Sequence, residues 1–223
     1  MKNIKQYLFI LLALTSLTFG FESEKFTAGI YTEYPLSNGI VAEYDLNNNN
    51  FFKARYGYSP EYYMEDLGNI LELFDWWNEL YSSLLVELCT DMKGLELSFG
   101  TKNFLGKDII ANAGVTMYSL NYNSLANDTL NAVLGTDIPA GRDLSVKGKL
   151  VALHFNVAKN YQLNKNWSVK PGVNFNYVNS FYGVIYSDLD INDQISYKLN
   201  NWLRDYLEGL VLPTVMVELK YQF

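Results

Sequence analysis

The chain has 223 residues and a formal net charge of −7, with 24 acidic against 17 basic residues, which argues against nucleic-acid binding, because that affinity comes from basic residues that neutralise phosphates. One cysteine and one histidine exclude an internal disulfide and a Cys/His metal cluster, and the length allows one large domain or two small ones. Glycine-rich phosphate loops and paired-carboxylate motifs are also missing, whereas aromatic residues are abundant, with 18 Tyr, 13 Phe and 4 Trp.

The N-terminal segment has the pattern of a secretory signal peptide. Lys2 and Lys5 precede an uncharged apolar run over residues 7–17, and small residues at Thr18 and Gly20 fit a cleavage site. A membrane-anchoring helix is the alternative, but the run is shorter than the ~20 residues that cross a bilayer. We therefore expect a cleaved leader over residues 1–20 and a single mature domain over 21–223.

Eight later segments alternate between apolar and polar residues, which predicts β-strands with one apolar face each. In chain order they are Phe26–Tyr34, Ile40–Leu46, Phe52–Tyr58, Leu95–Thr101, Ile109–Met117, Val151–Val157, Trp167–Tyr177 and Thr214–Phe223. Pro171 makes the seventh less regular, because proline removes a donor from the sheet ladder.

The connections between these strands fall into two lengths. Three of them are short, at Asn47–Asn50, Asn103–Lys107 and Lys159–Asn166. Three are long, at Ser59–Gly94, Tyr122–Val146 and Asn179–Gly209. Residues spaced by three and four predict helices in two of the long connections: one helical region over Glu61–Met92, carrying Leu67, Ile70, Leu71, Phe74 and Trp77, and one around Trp202, Leu203 and Tyr206. Reading Leu84–Asp91 as a strand would instead give nine strands, but single-chain bacterial barrels normally have an even number.

The last strand carries the most specific pattern. Val215, Val217, Leu219, Tyr221 and Phe223 share its apolar face, and the final residue is aromatic. In this respect the chain resembles small bacterial outer-membrane barrel proteins of the OmpA, OmpX and OmpW kind. The resemblance implies that Val217, Leu219, Tyr221 and Phe223 form an assembly signal for the barrel-assembly machinery.

The fold expected is therefore all-β: an eight-stranded antiparallel transmembrane up-and-down β-barrel with short helices in the extracellular loops. Its location would be the bacterial outer membrane, with outer-membrane lipids and lipopolysaccharide around it. Aromatic residues near strand ends fit interfacial girdles: Tyr34, Tyr44, Tyr58, Trp167, Tyr177 and Tyr221. A soluble lipocalin-like barrel is the alternative, because its strands alternate too.

The polar faces of the strands carry both signs of charge in balance. If these faces point inward, the charges form an ion-pair network that fills and closes the lumen, since an eight-stranded barrel is only wide enough to be filled by side chains. The predicted members are Glu33, Glu43, Asp45, Lys53, Arg55, Glu96, Lys102, His154, Lys170, Glu218 and Lys220.

Catalysis has little support in the sequence. Some small outer-membrane barrels modify lipid A, but His154 has Asn156 where the deacylases have a serine two residues on, and the acyltransferases keep their histidine in an outer loop. Asp188, Asp190 and Asp193 form no complete calcium motif. We therefore expect no enzyme, no cofactor and no metal, and a structural or surface-interaction role. A conduit for small hydrophobic molecules and a lipid A-modifying enzyme remain alternatives, as does a surface protein partner for the outer helices.

Overall fold

In the computed structural model the chain forms a closed, antiparallel barrel. The structure describes residues 22–73, 78–106, 108–125, 127–137, 144–186 and 192–223. The barrel strands within these ranges are β1 (Phe26–Tyr34), β2 (Ser37–Asp45), β3 (Asn50–Tyr58), β4 (Lys93–Thr101), β5 (Ile109–Leu125), β6 (Leu144–Lys159), β7 (Trp167–Tyr186) and β8 (Val211–Gln222). The leader predicted over residues 1–20 lies outside the described residues.

Each strand pairs with its neighbours in the chain, and the last strand returns to the first. β1 runs antiparallel to β8, from Thr27 opposite Gln222 to Tyr34 opposite Val215. β6 likewise pairs with β7, and a two-residue strand at Tyr161–Gln162 pairs only with the start of β7. The eight barrel strands therefore form an up-and-down barrel, which leaves no free sheet edge.

The predicted eight-stranded fold is confirmed, and the nine-strand count is wrong. Leu84–Asp91 is not a strand, because residues 79–89 form a helix. The three strands β5, β6 and β7 are longer than predicted and take up parts of the connections predicted at Tyr122–Val146 and Asn179–Gly209. Pro171 lies in a gap in the pairing along one side of β7. The pairing with β6 ends at Gly172, and the pairing with Tyr161–Gln162 involves only Val169 and Ser168. The missing N–H of Pro171 therefore costs no bond on that side.

Helices fill the three long connections. They are α1 (Glu61–Leu73) and α2 (Glu79–Cys89) between β3 and β4, α3 (Asn127–Leu134) between β5 and β6, and α4 (Asn192–Leu207) between β7 and β8. The single helical region predicted over Glu61–Met92 is thus two helices, and the Asn78 side chain starts the second by accepting a hydrogen bond from the Tyr81 N–H at 2.9 Å. No helix in the described ranges is long and apolar enough to cross a membrane.

Up-and-down topology sorts the connections onto two rims. The turn rim carries the three short turns. The start of β1 and the end of the chain after β8 also meet there, with the ring centroids of Phe26 and Phe223 5.8 Å apart. Asparagine side chains shape two of its turns, since Asn47 and Asn164 each accept two backbone N–H bonds. The cap rim carries the tight β1–β2 turn and all four helices, which we call the helical cap.

Candidate functional site

The barrel wall is apolar outside and polar inside. Outward side chains such as Ile30, Phe99 and Val215 are 54–60% exposed, whereas the inward Lys53, Glu96 and Glu218 are at most 3% exposed. Alternation along each strand produces this division, because successive side chains point to opposite faces. A polar interior of this kind is the reverse of a soluble barrel, whose apolar face lines its core.

One half of the interior is organised around Arg55. Its Nε donates to Glu96 at 2.5 Å, its Nη2 pairs with the same carboxylate, and Nη2 also lies 3.0 Å from Glu33. The guanidinium lies over the ring of Tyr31, 4.7 Å from its centroid. Arg55 therefore joins carboxylates from β1 and β4, and a buried cation between two buried anions needs such pairing to be tolerated.

The other half is organised around lysines from three strands. Lys53 donates to Glu218 at 3.2 Å, and Lys170 and Lys220 reach the same oxygen of Glu43 at 3.0 and 2.5 Å. Lys53 also lies 3.8 Å from Glu96, which connects the two halves. The predicted lysines and glutamates of the polar faces are thus in direct contact.

Charge inside the wall is balanced among the described residues. Four carboxylates are buried together with four cations: Glu33, Glu43, Glu96 and Glu218 with Lys53, Arg55, Lys170 and Lys220. The remaining predicted pair, Asp45 and Lys102, joins at 2.5 Å but stays 22% and 34% exposed. That pair therefore sits at the turn rim, beside the buried set. We call the eight buried charges the lumen network.

Neutral polar side chains surround the lumen network, and none of them was among its predicted members. Glu33 accepts hydrogen bonds from Asn174, Asn176 and Thr214 at 2.7–2.8 Å. Asn112 donates to Asn156 at 3.0 Å further round the wall. All five share the inward parity of their strands, so alternation alone was sufficient to find them.

The described helices of the cap place an apolar layer over one end of the barrel interior. Leu84, Leu130 and Leu199, one from each helical connection, are fully buried there. They belong to one cluster with Leu150 and Val178 of the wall. An apolar cavity of about 40 Å³, lined in part by Met64, Cys89 and Leu207, lies beneath the cap. The described cap helices therefore pack on each other and on the barrel.

The predicted helix residues divide between this layer and the surface. Leu67, Leu71, Trp202 and Leu203 are buried, Ile70 is half-buried, and Tyr206 is 38% exposed. Tyr206 packs edge-on against Tyr81, with 4.8 Å between the ring centroids. Phe74 and Trp77 lie outside the described residues.

The strand-end aromatics and the last strand lie on the outer face. Tyr34, Tyr58, Trp167 and Tyr177 are 40–49% exposed, and Tyr44 and Tyr221 are half-buried. Of the predicted assembly signal, Val217 and Phe223 are exposed on the face that Leu219 shares. Tyr221 packs edge-on against Trp167 and Phe223.

Groups able to do chemistry are few in the described ranges. His154 is buried, with Nε2 3.2 Å from Glu96 and Nδ1 3.4 Å from the Thr116 hydroxyl, and its neighbour on the inward face is Asn156. Burial raises the pKa of the Cys89 thiol to about 12, so the nucleophilic thiolate is scarce at neutral pH. No group of three or more acidic, His or Cys side chains in the described residues is arranged to hold a metal; Asp188, Asp190 and the side chain of Asp193 fall outside them.

Comparison with known proteins finds similarity only at the level of structure. No protein family model matches the chain, and no curated protein does. Two crystal structures from Acinetobacter baumannii, of CarO2 and CarO, are 14% and 13% identical with TM-scores of 0.41 and 0.40. They align over 89% and 88% of this chain and 98% and 97% of their own. A major outer membrane protein from Thermus thermophilus is 12% identical with a TM-score of 0.45, over 89% of this chain and 98% of its own.

Proposed function

We propose that this protein is an integral outer-membrane β-barrel with a closed, charge-filled lumen and a structural or surface-interaction role. The observation that carries the proposal is the inverted polarity of the wall. A belt of exposed aliphatic and aromatic side chains surrounds eight buried charges. In water such a belt would favour aggregation, whereas in a bilayer it is the surface that contacts lipid.

The height of the wall supports a membrane location. The shortest barrel strands have nine residues, which at ~3.4 Å per residue is roughly 30 Å along the strand. A strand tilt of about 40° reduces this to roughly 23 Å, close to the ~25 Å apolar band of outer-membrane barrels. Exposed aromatic rings near strand ends, including Tyr58 and Trp167, fit the two interfaces.

The lumen network and the helical cap argue against transport. A solute entering from the cap rim meets the apolar layer around Leu84, Leu130 and Leu199, and below it lie ion pairs whose members are at most 5% exposed. The conduit alternative requires an open, apolar lumen, so large steady conductance steps in planar bilayers would support it over our proposal.

A non-catalytic role fits the surroundings of His154. Catalysis by a histidine base needs a nucleophile or an oriented water beside it, whereas Nε2 faces Glu96 of the lumen network. We expect His154→Ala to leave lipid A acylation unchanged in cells that express the protein. A change in acylation pattern with that variant would favour the enzyme alternative.

The cap is the surface available to a partner. α1, α2 and α4 lie on it, and Tyr62, Leu73 and Tyr197 are 56–79% exposed there. Rigid scaffolds often carry function on such connections. We propose that the cap meets a surface partner, with outer-membrane lipids and lipopolysaccharide around the wall and the barrel-assembly machinery engaging β8 during insertion.

Two matched substitutions test the membrane assignment. Leu97 is 43% exposed in the middle of the belt, and Leu163 is 61% exposed in a turn. Leu97→Arg places a charge in lipid and is expected to destabilise the vesicle-inserted barrel by about 2–4 kcal/mol, whereas Leu163→Arg in water is expected to be nearly neutral. Stability would be followed by urea unfolding and by the difference between boiled and unboiled protein on SDS gels. Equal stability of the two variants, or recovery of the protein from the periplasm, would contradict the assignment.

A further inference from the structure

A row of residues crosses four strands on the outer wall near the cap rim. Lys93 of β4 pairs with Ser119 of β5, Ser119 pairs with Lys149 of β6, and Lys149 pairs with Tyr182 of β7. All four side chains point outward and are exposed. Neighbouring strands are ~4.8 Å apart, so the two lysine backbones are roughly 10 Å apart and both ammonium groups can reach one ligand between them.

The row lines a groove with a third lysine. Its volume is about 710 Å³, and Asn121 and Lys147, which pair with each other one row higher, also line it. We call Lys93, Lys147 and Lys149 the lysine patch. Asp91 is the acidic side chain in the lining, but across the described residues no carboxylate lies within 4 Å of the ammonium group of Lys93 or Lys149.

The lysine patch lies at the border of the apolar belt. The next row towards the turn rim is Leu95, Met117 and Val151, paired across the same strands. Leu95 and Met117 are 41% and 51% exposed. In a bilayer, acyl chains would contact that row, and the headgroups attached to them would lie at the level of the lysines.

The charge of the patch contrasts with the rest of the molecule. The chain has a net charge of −7, and the buried lysines of the lumen network are already paired with carboxylates. Lys93 and Lys149, which have no carboxylate within 4 Å among the described residues, therefore form a local positive field in the groove, which attracts anionic headgroups within a Debye length.

We propose that the lysine patch binds the phosphate of a lipid A-type molecule, an acylated phosphosugar of the outer leaflet. The proposal rests on the membrane location proposed above and adds a defined lipid site to it. Lys93 and Lys149 pair with the phosphate, Ser119 donates a hydrogen bond from between them, and the exposed ring of Tyr182 offers a flat face to the sugar. The acyl chains follow the wall over Leu95 and Met117.

Lipid binding to the folded protein in zwitterionic detergent tests this proposal. Native mass spectrometry would count bound lipid A, dephosphorylated lipid A and phosphatidylglycerol, and inorganic phosphate would be tested as a competitor. The variant is Lys93→Gln with Lys149→Gln. The control is Lys159→Gln with Lys165→Gln, which removes the same charge from exposed lysines near the turn rim.

The expected result is a loss of lipid A binding that depends on the patch. Each lysine near an anionic surface raises the binding affinity by about a factor of five, so the double variant should bind lipid A roughly thirtyfold more weakly. The control should bind like the wild type, and dephosphorylated lipid A should bind as weakly as the double variant binds lipid A. Equal binding by both double variants, phosphatidylglycerol binding as tightly as lipid A, or full competition by millimolar phosphate would each overturn the proposal.

Failure of this inference can be separated from failure of the membrane assignment. All variants keep the apolar belt, so each should show the heat-dependent gel shift and insert into zwitterionic vesicles. Normal insertion without patch-dependent lipid A binding would overturn the lipid site alone. A wild-type protein that does not insert would overturn both.

Discussion

Replacing Arg55 tests whether the lumen network holds the barrel together. Arg55→Met keeps a long side chain but removes the cation that contacts Glu96 through two nitrogens and Glu33 at 3.0 Å. Both carboxylates are at most 3% exposed, so water cannot replace the guanidinium without opening the wall. A buried charge left without its partner is costly.

The contacts that remain set the expected magnitude. Breaking a buried ion pair by removing one partner costs about 3–5 kcal/mol. Glu33 keeps the amides of Asn174 and Asn176, and Glu96 keeps Lys53 at 3.8 Å. We therefore expect a loss near the lower end, about 3 kcal/mol in the free energy of unfolding.

A double-mutant cycle isolates the pair itself. Arg55→Met with Glu96→Met removes both charges, and the loss should be at least about 2 kcal/mol smaller than the sum of the single losses. The free energies would come from urea unfolding of vesicle-inserted protein, followed by tryptophan fluorescence and extrapolated to water. Lys165→Met, in an exposed turn, is the control and should change stability by less than about 0.5 kcal/mol.

Two results would refute this reasoning. If Arg55→Met unfolds within about 1 kcal/mol of the wild type, the network does not bury a charge that needs Arg55. If the single losses simply add, Arg55 and Glu96 are not coupled, and their contact does not stabilise the barrel.

Three further predictions concern the cap and the last strand. Leu199→Ala, at a fully buried cap position, should cost about 2–5 kcal/mol and allow proteolysis of α4 while the heat-dependent gel shift persists. Because its pKa is raised to about 12, the Cys89 thiol should react with maleimide at pH 8 roughly a thousandfold more slowly than an ordinary thiol, and faster as the pH rises. Phe223→Ala should lower the rate of insertion by the barrel-assembly machinery severalfold, measured by the gel shift over time.

Each of these has a matched control on the same element or face. Tyr197→Ala changes an exposed residue of α4 and should leave proteolysis unchanged. Ser83→Cys with Cys89→Ala moves the thiol to the exposed face of α2 and should restore fast labelling. Phe52→Ala removes an outward ring that is 43% exposed, like Phe223, and equal insertion of the two variants would argue against an assembly signal at β8.

The barrel was predictable from sequence because alternation is a local property of each strand. Residues 26–34 and 52–58 alternate without interruption, and their strands end where the pattern ends. The pairing order also followed, since from β3 onward long and short connections alternate along the chain. The same parity places Asn174 and Asn176 on the inward face with Lys170, although neither side chain carries a charge.

The segments of β5, β6 and β7 nearest the cap rim were not predicted as strands, and the reason is physical. Near the cap rim the polarity of the wall reverses: Leu120 and Val146 point inward and are buried under the cap, while Ser119 and Lys147 point outward. A strand assigned by an apolar outer face therefore ends at Met117, although its backbone continues to Leu125. Which side chains meet across the lumen depends on strand tilt and stagger, which no single segment encodes.

The position of Glu218 and Lys220 on the final strand has a consequence for biogenesis. Among the described residues Glu218 is the nearest carboxylate to Lys53, and Lys220 shares Glu43 with Lys170, so Lys53 of β3 and Glu43 of β2 obtain these contacts only from β8. A chain that has not yet received β8 presents these charges along an open, half-built wall, which lipid disfavours. Pairing of β8 with β1 therefore closes the sheet and completes the ion pairs of Lys53 and Glu43 together, so barrel closure and the burial of these charges are coupled.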